Sequence, residues 1–251
     1  LTRAGTPIGV QIAKGTAMTE DLPLALIVGV GDGVSAALAR RLAAEGYVLA
    51  LAARNAGKLA ALATETGASV HACDASDPAA VTALFAALPR PPRVVVCNPS
   101  ARVRGPIAEL DPEAVRNALA VTAYASFLVG QAAARAMLAQ DPVDGVRGTI
   151  LFTGASAGVK GFPHSAPFAM GKFAQRGLAQ SMARELHPQG VHVAWINIDG
   201  GIRNPGVTEP PDRPDSMLDP DAIADAYVGL INQHRSTWSD ELALRPWVER
   251  F

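Results

Sequence analysis

The sequence predicts an α/β fold, a doubly wound parallel sheet of about seven strands with helices on both faces. Three observations predict it. Short apolar runs alternate with longer alanine- and leucine-rich runs along the whole chain. The short runs are almost unbroken by polar residues, which marks strands buried on both faces and hence a parallel sheet. The first of them passes through a glycine-rich turn straight into a helix, a join on which such sheets build a ligand cleft. At 251 residues the chain suits one large domain, able to bury about 75% of its unfolded surface without a metal or disulfide staple. No internal linker or repeat divides residues 23–251, so they are taken as a single domain.

Leu24–Val28 is the first strand, and Gly29-Val30-Gly31-Asp32-Gly33-Val34-Ser35 leads from it into a helix over about Ser35–Glu45 that Gly46 stops. Glycines between a buried strand and a helix make a phosphate cradle: without a Cβ the backbone can approach a pyrophosphate, and the helix N-terminus offers free N–H groups. A second strand, Tyr47–Ala53, ends on Arg54-Asn55. The residue just past this strand meets the adenosine ribose, where an acid suits NAD and an arginine can pair with the 2′-phosphate of NADP. Arg54 therefore favours NADP, with NAD possible because Asp32 puts negative charge in the glycine loop. Helix Ala56–Thr66 leads to strand Ser69–Cys73 and then Asp74-Ala75, whose carboxylate is placed to accept from the adenine amine.

Asp77-Pro78, Asp111-Pro112 and Asp219-Pro220 each read as an N-cap followed by a first helical proline, a structural signal only. Pro91-Pro92 precedes strand Arg93–Cys97, which Asn98-Pro99-Ser100 closes. One long helix is expected from Pro112 to about Gln140. Strand Gly148–Thr153 ends at Gly154-Ala155-Ser156-Ala157-Gly158, and a helix containing Phe168 and Lys172 follows, ending near His187-Pro188-Gln189-Gly190. The sixth strand, Val191–Ile196, reaches Asp199-Gly200-Gly201-Ile202. The proline-rich stretch at about 203–218 reads as a substrate loop. Helix Asp219–Gln233 and a short seventh strand, Glu241–Arg245, complete the series.

Composition excludes several function classes. Net charge is −1 with no basic block, against nucleic acid as a partner, and no run reaches the length of a membrane span. The two cysteines, Cys73 and Cys97, sit apart in apolar contexts, fitting buried thiols in a reducing compartment and a cytoplasmic location. The five histidines are scattered without ligand spacing, so no metal is expected. Leu1 to Thr16 lack the apolar core of a signal peptide, and residues 1–22 are expected to form an extension or arm; Met18-Thr19-Glu20 reads as a natural start.

Over residues 23 to about 245 the chain resembles the short-chain dehydrogenase/reductase family. The resemblance rests on the Gly29/Gly31/Gly33 loop, Asp74, the strand ending in Asn98, the turn at 154–158, Lys172 with Ala183-Arg184-Glu185-Leu186 downstream, and the Asp199-Gly200 turn. It implies a Rossmann-type fold and a small-molecule substrate. It also implies a homodimer or homotetramer formed through the helices around 112–140 and 167–187. It further implies cofactor contacts at the glycine loop with Val34, at Asn98-Pro99-Ser100, at Lys172, and at Gly200 and Ile202.

The pattern departs from the family at the reaction centre. Of the family's Asn, Ser, Tyr and Lys, the chain has Thr122, Ala155, Phe168 and Lys172. This resembles an atypical branch with Phe-x-x-x-Lys. Ser35 also stands where the signature has its last glycine. Hydride transfer to a carbonyl leaves an alkoxide that needs donors and a proton, and phenylalanine has none. Candidates to replace the tyrosine are Lys172, His164, Ser156 or Thr153, and Asp199. The expected function is NADP-dependent oxidoreduction of a small carbonyl or alcohol with a degenerate tetrad. The alternative is a dinucleotide-binding protein with little or no turnover.

Overall fold

Leu24–Val28 (β1) is apolar at every position, and all five residues are buried. It lies at the centre of the sheet because it is flanked on both edges: Val28 pairs with Ala52 of β2 (Val48–Ala53) and with Cys97 of β4 (Val94–Cys97). The remaining strands are β3 (Ser69–Ala72), β5 (Gly148–Thr153), β6 (Val191–Ile198) and β7 (Glu241–Leu244). The order is β3-β2-β1-β4-β5-β6-β7, every pairing parallel. The strand order reverses between β1 and β4, and a doubly wound sheet opens its ligand crevice at the carboxyl ends of the strands at such a point. The structure, a computed structural model, describes residues 22–249. The arm expected over 1–22 lies, but for its last residue, outside them.

Seven α-helices in the described residues cover the sheet: α1 (Val34–Ala44), α2 (Ala60–Thr66), α3 (Pro78–Ala86), α4 (Pro112–Leu119), α5 (Ala125–Leu138), α6 (Ala166–Leu186) and α7 (Pro220–Ile231). Alternate strand residues point to opposite faces, so two cores form. One packs Leu26, Val95 and Phe152 against α3, α5 and α6; the other packs Ile27, Val96 and Ile196 against α1, α2 and α7. The aspartates before Pro78, Pro112 and Pro220 cap α3, α4 and α7 through their carboxylates. No helix among the described residues is long and apolar enough to cross a membrane.

Several elements differ from the sequence reading; the helix expected over Ala56–Thr66, for one, begins as a 3-10 helix over Ala56–Leu59. The helix expected to run unbroken from Pro112 to Gln140 contains a π-helical segment at Ala120–Tyr124. The widened turn turns Thr122 inward. Its hydroxyl accepts from Ala101 N–H at 3.0 Å and its carbonyl accepts from Ser126 Oγ at 2.7 Å. Single π turns of this kind concentrate at functional sites. The sixth strand also runs two residues further than expected, to Ile198.

The 203–218 stretch carries no helix or strand. Ile202 bridges Leu218 across its base, and Arg203 pins it. The guanidinium bonds Glu209 at 2.7 and 2.6 Å, Asp215 at 2.8 Å and Asp219 at 2.9 Å. The Arg203 contact holds the Glu209 carboxyl down at about 2.

Candidate functional site

The cleft begins at the glycine loop. Gly29 has φ 81°, and a Cβ there would lie 2.6 Å from the Pro99 nitrogen, so only glycine lets β1 turn against the end of β4. Gly31 faces open space, leaving its backbone bare to the cleft. Helix α1 has no side-chain cap and no acidic residue in its first turn, so its N-terminal N–H groups and positive dipole end stay available to an anion. Asn98 fixes this arrangement. Its amide donates to the Gly29 carbonyl at 3.1 Å and to Ser35 Oγ at 2.7 Å. Ser35, in place of a glycine, is thus a buried acceptor that ties β4 to the first turn of α1.

Two adjoining cavities share Gly31, Asp32, Asn98 and Ser100. The first, about 480 Å³, is lined by Gly29, Arg54, Lys58, Asp74, Ala75 and Pro99 among others. Asp74 Oδ1 accepts from the Ser76 N–H at 3.0 Å and hydroxyl at 2.7 Å. Those bonds, with the nearby Arg54 charge, hold its carboxyl below the usual range and leave the second oxygen as an acceptor. Arg54 and Lys58 put two cations on one wall, suited to a phosphate monoester.

The second cavity, about 350 Å³, is lined by Gly33, Val34, Thr153, Ala155, Phe168, Lys172, Gly200 and Ile202, together with Arg102 and Asn204. Every residue expected to contact a cofactor therefore lines one cavity or the other. Lys172 is 2% exposed. Its ammonium donates to the Thr153 carbonyl at 2.6 Å and to Gln175 Oε1 at 3.2 Å. An ammonium has three donors, so one remains. Burial, with the Arg102 charge nearby, lowers its pKa to about 8. Gln175 passes the connection on, donating to Ser126 Oγ at 2.9 Å, and Ser126 donates to the Thr122 carbonyl. Lys172 is thereby wired to the π turn.

The other acid candidates fare differently. His164 is exposed in the loop before α6, with left-handed φ 59°, and does not line the cleft. Ser156 lies one residue past Ala155 in a 3-10 turn, where its carbonyl accepts from Val159 and Lys160 N–H groups. Its side chain does not line the cleft either; Ala155 does. The Thr153 hydroxyl accepts from Tyr227 Oη at 2.9 Å. Asp199 is buried beside Arg245 at 3.5 Å and lies outside the lining. Among the described residues the titratable side chains lining the second cavity are Asp32, Arg102 and Lys172.

Sequence reasoning missed Arg102, Lys58 and the Gln175–Ser126 relay. Lys58 was legible, since it lies four residues after Arg54. Arg102 was not: it comes to the cleft from the far end of β4, and its guanidinium lies over the Phe168 ring, 4.3 Å from the centroid. Burial pushes the Cys97 thiol up to about 12, and neither cysteine is paired. No group of three or more His, Cys, Asp or Glu among the described residues is placed to hold a metal.

Comparison with known proteins agrees with this fold. A sequence model of the family described as short chain dehydrogenase matches residues 23–209. The (3R)-3-hydroxyacyl-CoA dehydrogenase of Mus musculus is 30% identical over 236 residues, spanning 84% of this chain and 89% of its own. A short-chain dehydrogenase structure from Rhodopseudomonas palustris has a TM-score of 0.76 at 35% identity, over 90% of this chain and 99% of that one. A metagenomic short-chain oxidoreductase solved in complex with NADP gives 0.75 at 28% identity, over 90% and 98%.

Proposed function

The chain belongs to the short-chain dehydrogenase family, and on that premise we propose that it transfers a hydride between NADP and a small carbonyl or alcohol, with Lys172 as the proton donor. One observation carries this reading. The bare glycine loop and uncapped α1 terminus open, through shared lining, onto a buried lysine that has one donor left. When bound, the nicotinamide would supply or accept the hydride. The α1 N–H groups would hold the pyrophosphate, Arg54 and Lys58 would pair with the 2′-phosphate, and Asp74 would accept from the adenine amine. The departures at Thr122, Ala155 and Phe168 leave Lys172 to act alone. When a hydride reaches the carbonyl carbon, the electron pair moves to oxygen, which takes a proton from Lys172 Nζ. An ammonium near pKa 8 is a far better acid than one near 10.5. The lysine is reprotonated from solvent.

The second reading, dinucleotide binding with little turnover, is favoured by Phe168 and Ala155, which supply no hydroxyl at the reaction centre. Exposed Tyr124, Phe127, Met170 and Phe173 favour assembly as a homodimer or homotetramer through α5 and α6. Tryptophan quenching on titration with NADPH tests binding, and a panel of carbonyls followed by loss of NADPH absorbance tests turnover. Turnover that Lys172→Ala abolishes supports the first reading. NADPH binding without turnover, with activity gained by Phe168→Tyr, favours the second. No response to millimolar NADPH or NADH overturns both.

A further inference from the structure

We infer that Arg102, held over the Phe168 ring, is the anion-recognition residue of the substrate cleft, and that the substrate carries a carboxylate. The inference rests on the oxidoreductase reading only for the word substrate; the binding claim stands on the cleft itself. Arg102 lines the second cavity together with Phe168 and Lys172. Its contact with the ring face uses the charge and none of the five N–H donors. Among the described residues no carboxylate or carbonyl accepts from the guanidinium. The carboxylate that shares the cavity, Asp32, sits on the glycine loop and makes no bond to it.

The position is built. The preceding residue, Ala101, is tied by its N–H to Thr122 Oγ1 at 3.0 Å, and Thr122 is 1% exposed. That hydroxyl points inward because of the π turn at Ala120–Tyr124. The three positions where the chain departs from the family's tetrad therefore share a purpose. Thr122 anchors the segment that carries Arg102, Phe168 gives its guanidinium an aromatic seat, and Ala155 leaves the cavity wall small. A planar two-pronged donor matches a carboxylate. The pyrophosphate has its own cradle at α1, so the anion left for Arg102 is the substrate's.

The test measures binding, so it does not depend on hydride transfer. Straight-chain 2-oxo acids of three to six carbons and their methyl esters are titrated calorimetrically into the protein, with and without saturating NADP⁺. The acids are expected to bind at least about tenfold more tightly than their esters, as one charge-assisted pair provides. Arg102→Gln is expected to weaken the acids about 10- to 100-fold and to bring the acid-to-ester ratio towards one, an effect that loss of packing alone would not produce. Arg104→Gln, which removes the same charge from outside the cavity lining, is expected to keep the ratio. Equal affinity for acids and esters, no acid binding in either condition, or a ratio that survives Arg102→Gln overturns the inference. So does Arg102→Gln loosening NADP⁺ by the same factor, which would assign the residue to the cofactor phosphates. Arg102-dependent acid binding with no turnover would leave this inference standing and remove the redox one. Turnover of neutral ketones, with acids bound no better, would do the reverse.

Discussion

Burying Lys172 has a cost that pH should reveal. Its pKa falls from 10.5 to about 8 on folding, chiefly by burial. The sign follows from proton counting. Below pH 8 the lysine is protonated in both states, and the full penalty of a buried ammonium is present. Between about 8 and 10.5 the folded lysine has lost its proton while the unfolded one keeps it, so the lysine's contribution to stability rises with pH. At about 1.4 kcal/mol per pH unit the gap amounts to roughly 3 kcal/mol. Cys97 works against this gain, because burial keeps its thiol neutral until about 12 while the unfolded thiol ionises near 9. The buried tyrosines Tyr47 and Tyr227 work against it in the same way, since both ionise more readily unfolded. The lysine must therefore be isolated as a difference. Urea unfolding of wild type and Lys172→Met at pH 7.5 and 10.5 provides it. Wild type is expected to gain about 3 kcal/mol relative to the variant across that interval. A difference constant to within about 0.5 kcal/mol would mean that Lys172 keeps an ordinary pKa, and the reasoning about its acidity would fail.

Two further outcomes follow from the cleft. Replacing Arg54 and Lys58 together by alanine should weaken NADPH about 10- to 100-fold while moving NADH less than about threefold, because the lost pairs are to the 2′-phosphate alone; fluorescence titration of both cofactors checks it. Arg203→Met removes the cation that joins Glu209, Asp215 and Asp219. Limited proteolysis should then cut within 204–217 faster and the KM for substrate should rise, while NADPH affinity holds.

How much of this was legible in the sequence depended on distance along the chain. The fold was legible because β1 and β4 are unbroken apolar runs and because Gly29 sits where only a positive φ lets the chain turn. The lining of the cleft was legible where residues follow the carboxyl end of a strand, as Gly29, Arg54, Asp74 and Asn98 do, because parallel topology gathers them there. The reaction centre was less so. Ser156 and Ala155 differ by one residue in a turn, and sequence does not give the phase of a turn. The π segment lies in an alanine-rich helix whose period does not announce an extra residue. Arg102 meets Phe168 across long-range packing that no local pattern records. The same holds for Ser35, which is an acceptor for Asn98 rather than a failed glycine.

The proposed chemistry turns on Lys172 delivering the proton in the absence of a tyrosine. The pH dependence of kcat/KM for carbonyl reduction tests it most directly, because Lys172 loses its proton near pH 8. The rate is expected to be level below about pH 7.5 and to fall about tenfold per unit above about pH 8.5. Arg102→Gln should lower the plateau and move that break to somewhat higher pH, because the lost charge helps to lower the Lys172 pKa, and Lys172→Met should remove the activity. A level profile to pH 10 in wild type, or the same break retained in Lys172→Met, would contradict it.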